Sequence, residues 1–214
     1  MPHPHVADHP LARVMLTRLR DRATSPAEFR TLVGRLTGIL LHAALADLDL
    51  TPAIVETPLA PAQGWTLARP LAFVPILRAG LGMAEAALQH VPGAVVWHLG
   101  LYRNEATLEP VVYYNRLAPG TLRDTTVVVL DPMLATAGSV IAAVELLHAA
   151  GADDIRCVGI VGAPEGVRAL AAAHPVVRVY LAALDDRLTG PGDAWPTGYI
   201  LPGLGDAGDR QFGT

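Results

Sequence analysis

The chain has 214 residues, of which 51% are hydrophobic and 17% charged, enough to close one sizeable core and consistent with a single domain over 1–214. No apolar run approaches the roughly 20 residues that span a bilayer, and MPHPHVADHP lacks the basic and apolar regions of a signal peptide, so a cytoplasmic protein without membrane contact is expected. The net charge of -4 with no basic run argues against a nucleic-acid partner, and all 16 cationic residues are Arg, which excludes a lysine Schiff base, a pyridoxal anchor and a P-loop lysine.

In chain order, His3, His5 and His9 lie in a short polar start and read as solvated side chains, not metal ligands. From Ser25 to Leu48, apolar Leu32, Leu36, Ile39 and Leu40 recur at helical spacing, with Ser25 as N-cap, Pro26 in the first turn and Glu28 as capping-box partner. Residues 1–50 are therefore assigned to N-terminal helices. Strand-length apolar runs then alternate with helical stretches: 71–77, 94–103, 125–131, 155–163 and 176–184. Continuous apolar strands separated by helices predict a doubly wound α/β fold with a mainly parallel sheet covered on both faces. Cys157, the single cysteine, falls inside IRCVGIVGA and reads as a packing residue.

Two segments break the alternation. Residues 104–124 hold VVYY between Pro-bearing flanks and predict an exposed β-hairpin or flap. Residues 185–214 are rich in Gly and Pro without periodicity, which leaves a functional segment or a disordered tail. Trp65, Trp97 and Trp195 read as packing residues and Asp153 and Asp154 as a solvated turn. His42, His90, His98, His148 and His174 are scattered and carry no assignment.

The stretch VVVLDPMLATAGSV, 127–140, holds the chemistry. A buried strand delivers Asp131 to its carboxyl edge, and Ala135, Thr136, Ala137, Gly138 and Ser139 form a low loop before a helix. Open amides there, two hydroxyls and the helix dipole make a nest for an anion, with phosphate the natural occupant. Asp131 does not share that phosphate, so it should accept hydrogen bonds from neighbouring hydroxyls. Phosphate and diol together suggest a ribose 5-phosphate. The plainer alternative is an Asp that caps the next helix above an ordinary small loop. There is no G-x-G-x-x-G in this stretch, so hydride transfer loses ground.

Asp131 to Ser139 resembles the phosphoribosyl pyrophosphate (PRPP) motif of type I phosphoribosyltransferases, in the form with Pro after Asp found in the uracil phosphoribosyltransferase family. VPILRAGLGM (74–83), LYRNEATLEP (101–110) and GYILPGLGDAGDRQFGT (198–214) resemble the same family in the same order. The resemblance implies that uracil N1 displaces pyrophosphate from PRPP to give UMP, through a transition state with oxocarbenium character. It assigns PRPP to Arg78, Arg103, Asp131, Pro132, Met133, Leu134, Ala135, Thr136, Ala137, Gly138, Ser139 and Asp206. It assigns uracil to Ile200, Gly205, Asp206 and Ala207. Arg78, Arg103, Asp131 and Asp206 are the candidate catalytic residues; taken singly, either Arg reads as a surface residue and Asp206 as a turn former beside Gly.

The resemblance further implies Mg²⁺ carried mainly by PRPP and water, a homo-oligomer of two or more copies, and a possible GTP effector. A phosphoribosyltransferase for another base and a PRPP-sensing nucleic-acid-binding regulator are the competing readings, the second requiring a basic face. One departure is visible: Ala137 stands where the family loop usually has glycine, which costs roughly 1–2 kcal/mol if that position is left-handed and nothing otherwise.

Overall fold

The computed structural model describes residues 3–103 and 110–214. A short strand β1 (His5–Val6) is followed by helices α1 (Pro10–Arg20) and α2 (Pro26–Ala44), then by a hairpin of β2 (Leu50–Glu56) and β3 (Pro61–Leu67). The sheet proper continues with β4 (Leu71–Leu77), α3 (Leu81–His90), β5 (Val95–Val96), β6 (Leu99–Arg103) and β7 (Pro110–Tyr114). After these come β8 (Thr126–Leu130), β9 (Met133–Leu134), α4 (Gly138–Ala149), β10 (Asp154–Gly162), α5 (Pro164–Ala173) and β11 (Arg178–Leu184). The chain closes with β12 (Arg187–Leu188), β13 (Ile200–Leu201) and α6 (Ala207–Phe212).

The main sheet runs β1-β11-β10-β8-β4-β6-β7, with β5 beside β4 and β9 beside β10. Every pairing in it is parallel except β6 with β7. The uninterrupted apolar runs follow from burial on both faces. In β8, Val128 and Leu130 pack with α1, α2 and α3, while Val127 and Val129 pack with α4 and α5. The expected doubly wound α/β architecture is therefore present.

Several local readings change. Ser25 Oγ accepts the Glu28 amide at 3.3 Å, but the Glu28 carboxylate turns to Arg18 at 3.0 Å, so the capping box is only half made, and the helix ends at Ala44, four residues earlier than expected. The run 94–103 is two strands, because the chain steps aside at Trp97 and His98 between its pairings with Ala72–Phe73 and with Ile76–Leu77. Residues 110–114 do form a hairpin strand, paired back onto β6, whereas 115–124 turn toward the core and bury Leu122. The stretch 104–109 lies outside the described residues.

The hairpin of β2 and β3 carries no burial pattern in the sequence, since Pro52 interrupts its alternation and nearly all its side chains are exposed. His5 pairs in the sheet beside Tyr180, and His9 Nδ1 accepts the Leu11 amide at 3.2 Å as the N-cap of α1. Asp154 is not in a solvated turn: it starts β10 and joins Arg156, Arg178 and Thr126. Trp65 and Trp195 are exposed, so neither packs as expected. The segment 185–214 is neither structureless nor a loose tail, for β12 pairs with β13 and α6 docks on α2.

Candidate active site

Parallel strands end together at one edge of the sheet, and β8 ends at Leu130, directly before Asp131. The backbone then kinks: the Pro132 carbonyl accepts from both Ile160 and Val161 amides at 3.1 Å, after which β9 resumes pairing with Val161 and Gly162. The Asp-Pro pair thus interrupts the ladder without changing its register, between Leu130 opposite Val158 and Met133 opposite Val161. Burial pushes that carboxyl up to about 6, against a smaller downward pull from the Met133 amide, which donates to Oδ1 at 3.2 Å. Cys157 is fully buried behind this edge, and burial pushes its thiol far above the ordinary range, so it packs without reacting.

The loop Ala135–Ala137 leads into α4. Ala137 has no side chain with which to cap that helix, Thr136 Oγ1 accepts the Gly138 amide at 3.5 Å, and the amides of Thr136, Ala137 and Ser139 donate to no acceptor among the described residues. Ala137 occupies φ 64°, ψ 3°, a left-handed conformation, and so it carries the strain that glycine would avoid. The loop is shaped from below by α5, where a side chain on Gly166 would bring its Cβ to 2.1 Å from the Ala135 carbonyl oxygen.

A crevice of about 260 Å³ opens above these groups. Its walls include Asp131, Met133, the loop Ala135 to Ser139, and Ile200, Gly205, Asp206 and Ala207 from the far end of the chain. Eleven of the residues expected to bind PRPP or uracil therefore line one space. Gly205 has φ 80°, and Asp206 is the N-cap of α6, its Oδ1 accepting the Asp209 amide at 2.9 Å, so the plainer capping role is real and occupies one carboxylate oxygen.

The other expected residues sit differently. Pro132 and Leu134 are buried beneath the crevice and do not line it. Arg78 follows β4 at the same sheet edge but stands outside the wall, exposed, with Nη2 at 3.3 Å from Asp209 Oδ1. Arg103 ends β6, and its side chain lies outside the described residues. Val140, Gly198 and Tyr199 also line the crevice and were not singled out. Gly198 and Tyr199 open the quoted stretch 198–214, but nothing in their own type or spacing marks them.

The family model described as uracil phosphoribosyltransferase matches residues 6–214. A uracil phosphoribosyltransferase of Roseiflexus castenholzii is 53% identical over 209 residues, covering 98% of this chain and 97% of that one. One of Dictyoglomus thermophilum is 50% identical, with 98% of each chain covered. Among solved structures, the AQ2163 protein from Aquifex aeolicus superposes with a TM-score of 0.88 at 37% identity over 98% of each chain.

Proposed function

The chain belongs to the uracil phosphoribosyltransferase family, and from that premise we infer how its crevice divides the work. The reaction is uracil plus PRPP to UMP plus pyrophosphate, a step of pyrimidine salvage. One observation carries the division proposed here: the anion loop Ala135 to Ser139, the carboxyl of Asp131 and the turn 198–207 line the same crevice.

The 5-phosphate of PRPP sits on the open amides of the loop and the hydroxyls of Thr136 and Ser139, at the positive end of α4. The ribose diol donates to Asp131, whose carboxyl is kept near its titration point until those donors arrive. Uracil presents O2, N3-H and O4 to main-chain groups at Ile200, Gly205 and Ala207. Cytosine, with donor and acceptor exchanged at that edge, leaves buried groups unpaired there. As N1 closes on the ribose C1, negative charge grows on the departing pyrophosphate, and in this reading it is Arg78 and Arg103, with their planar, two-pronged donors, that offset it. Asp206 keeps one carboxylate oxygen free of its capping bond to orient the ribose or N1.

Mg²⁺ fits this site as an ion carried by substrate. Asp131 and Asp206 each spend one oxygen on a main-chain amide, and among the described residues no group of three His, Cys, Asp or Glu is gathered to cage a metal. When bound, the ion offsets charge on the pyrophosphate. The expected homo-oligomer has a suitable surface in the β2–β3 hairpin, where Leu50, Ile54, Leu59 and Trp65 are exposed on a ribbon that two strands alone barely stabilise. Light scattering of the purified protein measures it. The cytoplasm suits the reading, and among the described residues no helix is long and apolar enough to cross a membrane. A GTP effector rests on the resemblance, with no group assigned to it.

The decisive experiment offers protein, PRPP and Mg²⁺ with uracil, cytosine, orotate, hypoxanthine or adenine in parallel. UMP and pyrophosphate should form with uracil alone. A crystal with PRPP bound away from the Ala135 to Ser139 loop would overturn the division of roles.

A further inference from the structure

The turn that carries the base-binding residues is gripped from behind by two charged side chains that do not line the crevice. Gly203 has φ 60°, and a side chain there would put its Cβ 2.1 Å from the Ile200 carbonyl oxygen, so this turn is as tight as glycine allows. Its amide donates to Asp185 Oδ2 at 2.8 Å, and its carbonyl accepts from Arg20 Nη1 at 2.7 Å. The same two side chains meet each other in a two-pronged pair, Nη1 to Oδ2 at 2.7 Å and Nη2 to Oδ1 at 2.5 Å. Both are sheltered, with side-chain exposures of 23% for Arg20 and 4% for Asp185.

Each partner is rooted in a different part of the fold. Arg20 is the last residue of α1, and Asp185 follows β11, its own amide donating to the Gly162 carbonyl at 2.8 Å. A helix and the sheet therefore hold both polar groups of one residue midway between Ile200 and Gly205. Such a pair does little for stability, because desolvating two charges offsets most of their attraction, and an apolar pair of similar size often serves as well. An apolar pair, however, would leave the Gly203 amide and carbonyl without these partners and the turn free to rotate its peptide planes.

We propose that Arg20 and Asp185 are positioning residues for uracil recognition: the ion pair sets the orientation of the peptide groups at Gly203, and through them how Gly205 and the groups after it meet a base seated on Ile200. This rests on the assignment of uracil to that turn. The effect is confined to the base, since the phosphate loop is built by β8, β9 and α4 and touches neither residue.

The test uses the full-length enzyme with Asp185→Asn and with the double variant Arg20→Met, Asp185→Leu. The double variant removes the charge from both partners, so it keeps its fold even if a single variant does not. Uracil KM should rise about tenfold or more in both, the cost of ordering a turn no longer held in its binding orientation, with PRPP KM held within about threefold. The double variant should melt within a few degrees of the parent. A purely structural pair predicts the reverse: melting temperature falls and the two KM values move together or not at all. Uracil KM within about twofold of the parent in the double variant overturns the proposal. Gly205→Val tells the two failures apart. If it raises uracil KM and the clamp variants do not, the positioning role falls; if none of them does, the turn is not the base site.

Discussion

The phosphate loop and the base turn line one crevice, yet they are held in place by different means. The loop is a continuation of the sheet: the Ala135 amide donates to the Met133 carbonyl at 3.0 Å, the Ala163 amide to the Leu134 carbonyl at 3.0 Å, and β9 pairs with β10 on the strand's own line. The turn is tied by the β12–β13 pairing only as far as Leu201, and beyond that it hangs from side chains. Arg20 and Asp185 grip Gly203, Arg210 reaches the carbonyls of Leu19, Asp21 and Leu204, and Gln211 donates to Ala79 at 2.8 Å beside Arg78. A loop carried by adjacent strands is rigid by construction. A turn held by long side chains has to be oriented, and its orientation is where base specificity can be lost without loss of fold.

The contrast can be broken first at the loop. Asp131→Ala removes the acceptor for the ribose diol, and with two charge-assisted hydrogen bonds gone kcat/KM for PRPP should fall roughly 100-fold or more. Steady-state kinetics at saturating uracil measures it. The same group sets a pH dependence. Because its carboxyl lies at about 6 in the free protein, kcat/KM for PRPP should drop about tenfold per pH unit below that point as the carboxyl takes up a proton. Stability moves the opposite way. A carboxyl raised above its ordinary value resists ionisation in the fold, so the destabilisation is absent at low pH and complete above 6. Asp131→Asn should therefore melt above the parent at pH 7, and thermal scans at pH 4 should find the two converging.

A matched pair of insults sharpens the comparison further. A Cβ on Gly166 or on Gly203 would lie 2.1 Å from a carbonyl oxygen, in the first case of the phosphate loop and in the second of the base turn. Each overlap costs about 1–3 kcal/mol, and the left-handed backbone at Gly203 adds roughly 1–2 kcal/mol. Gly166→Ala should raise PRPP KM about tenfold and Gly203→Ala should raise uracil KM by as much or more, each sparing the other substrate. Equal shifts in both constants from either variant would show that the two walls move as one body.

The same contrast explains what the sequence disclosed. The wall made of β8, β9 and α4 is contiguous, so a buried strand, an Asp at its end, small residues and a helix start were visible together between Val127 and Val140. The parallel sheet was legible for a similar reason, since burial on both faces leaves unbroken apolar runs in β4, in β8 from Val127 and in β10 from Cys157. The base turn left no periodicity because its order comes from Arg20, 165 positions before Asp185, and from Arg210, whose guanidinium lies 4.5 Å over the Phe29 ring. Only the resemblance marked it. The β2–β3 hairpin escaped notice because neither face is buried within the chain, and a pattern of burial cannot report an element that buries nothing.

Ala137 tests the local wall at the smallest scale. At φ 64° an alanine is strained by roughly 1–2 kcal/mol, and Ala137→Gly removes that strain. Glycine also gives the unfolded chain more freedom, which returns about 0.4–1 kcal/mol of the gain. The net stabilisation should be about 0–1.6 kcal/mol, a rise of up to roughly 6 °C in Tm for a chain of this size. The loop amides keep their places because β9 and α4 fix both ends of the segment. PRPP KM should therefore change less than about threefold, the larger freedom of glycine in the empty loop working against any gain in fit. Calorimetry and PRPP kinetics on the two proteins decide the matter: a fall in Tm would show that the left-handed conformation is not held in solution, and a large change in KM would show that Ala137 shapes the phosphate nest directly.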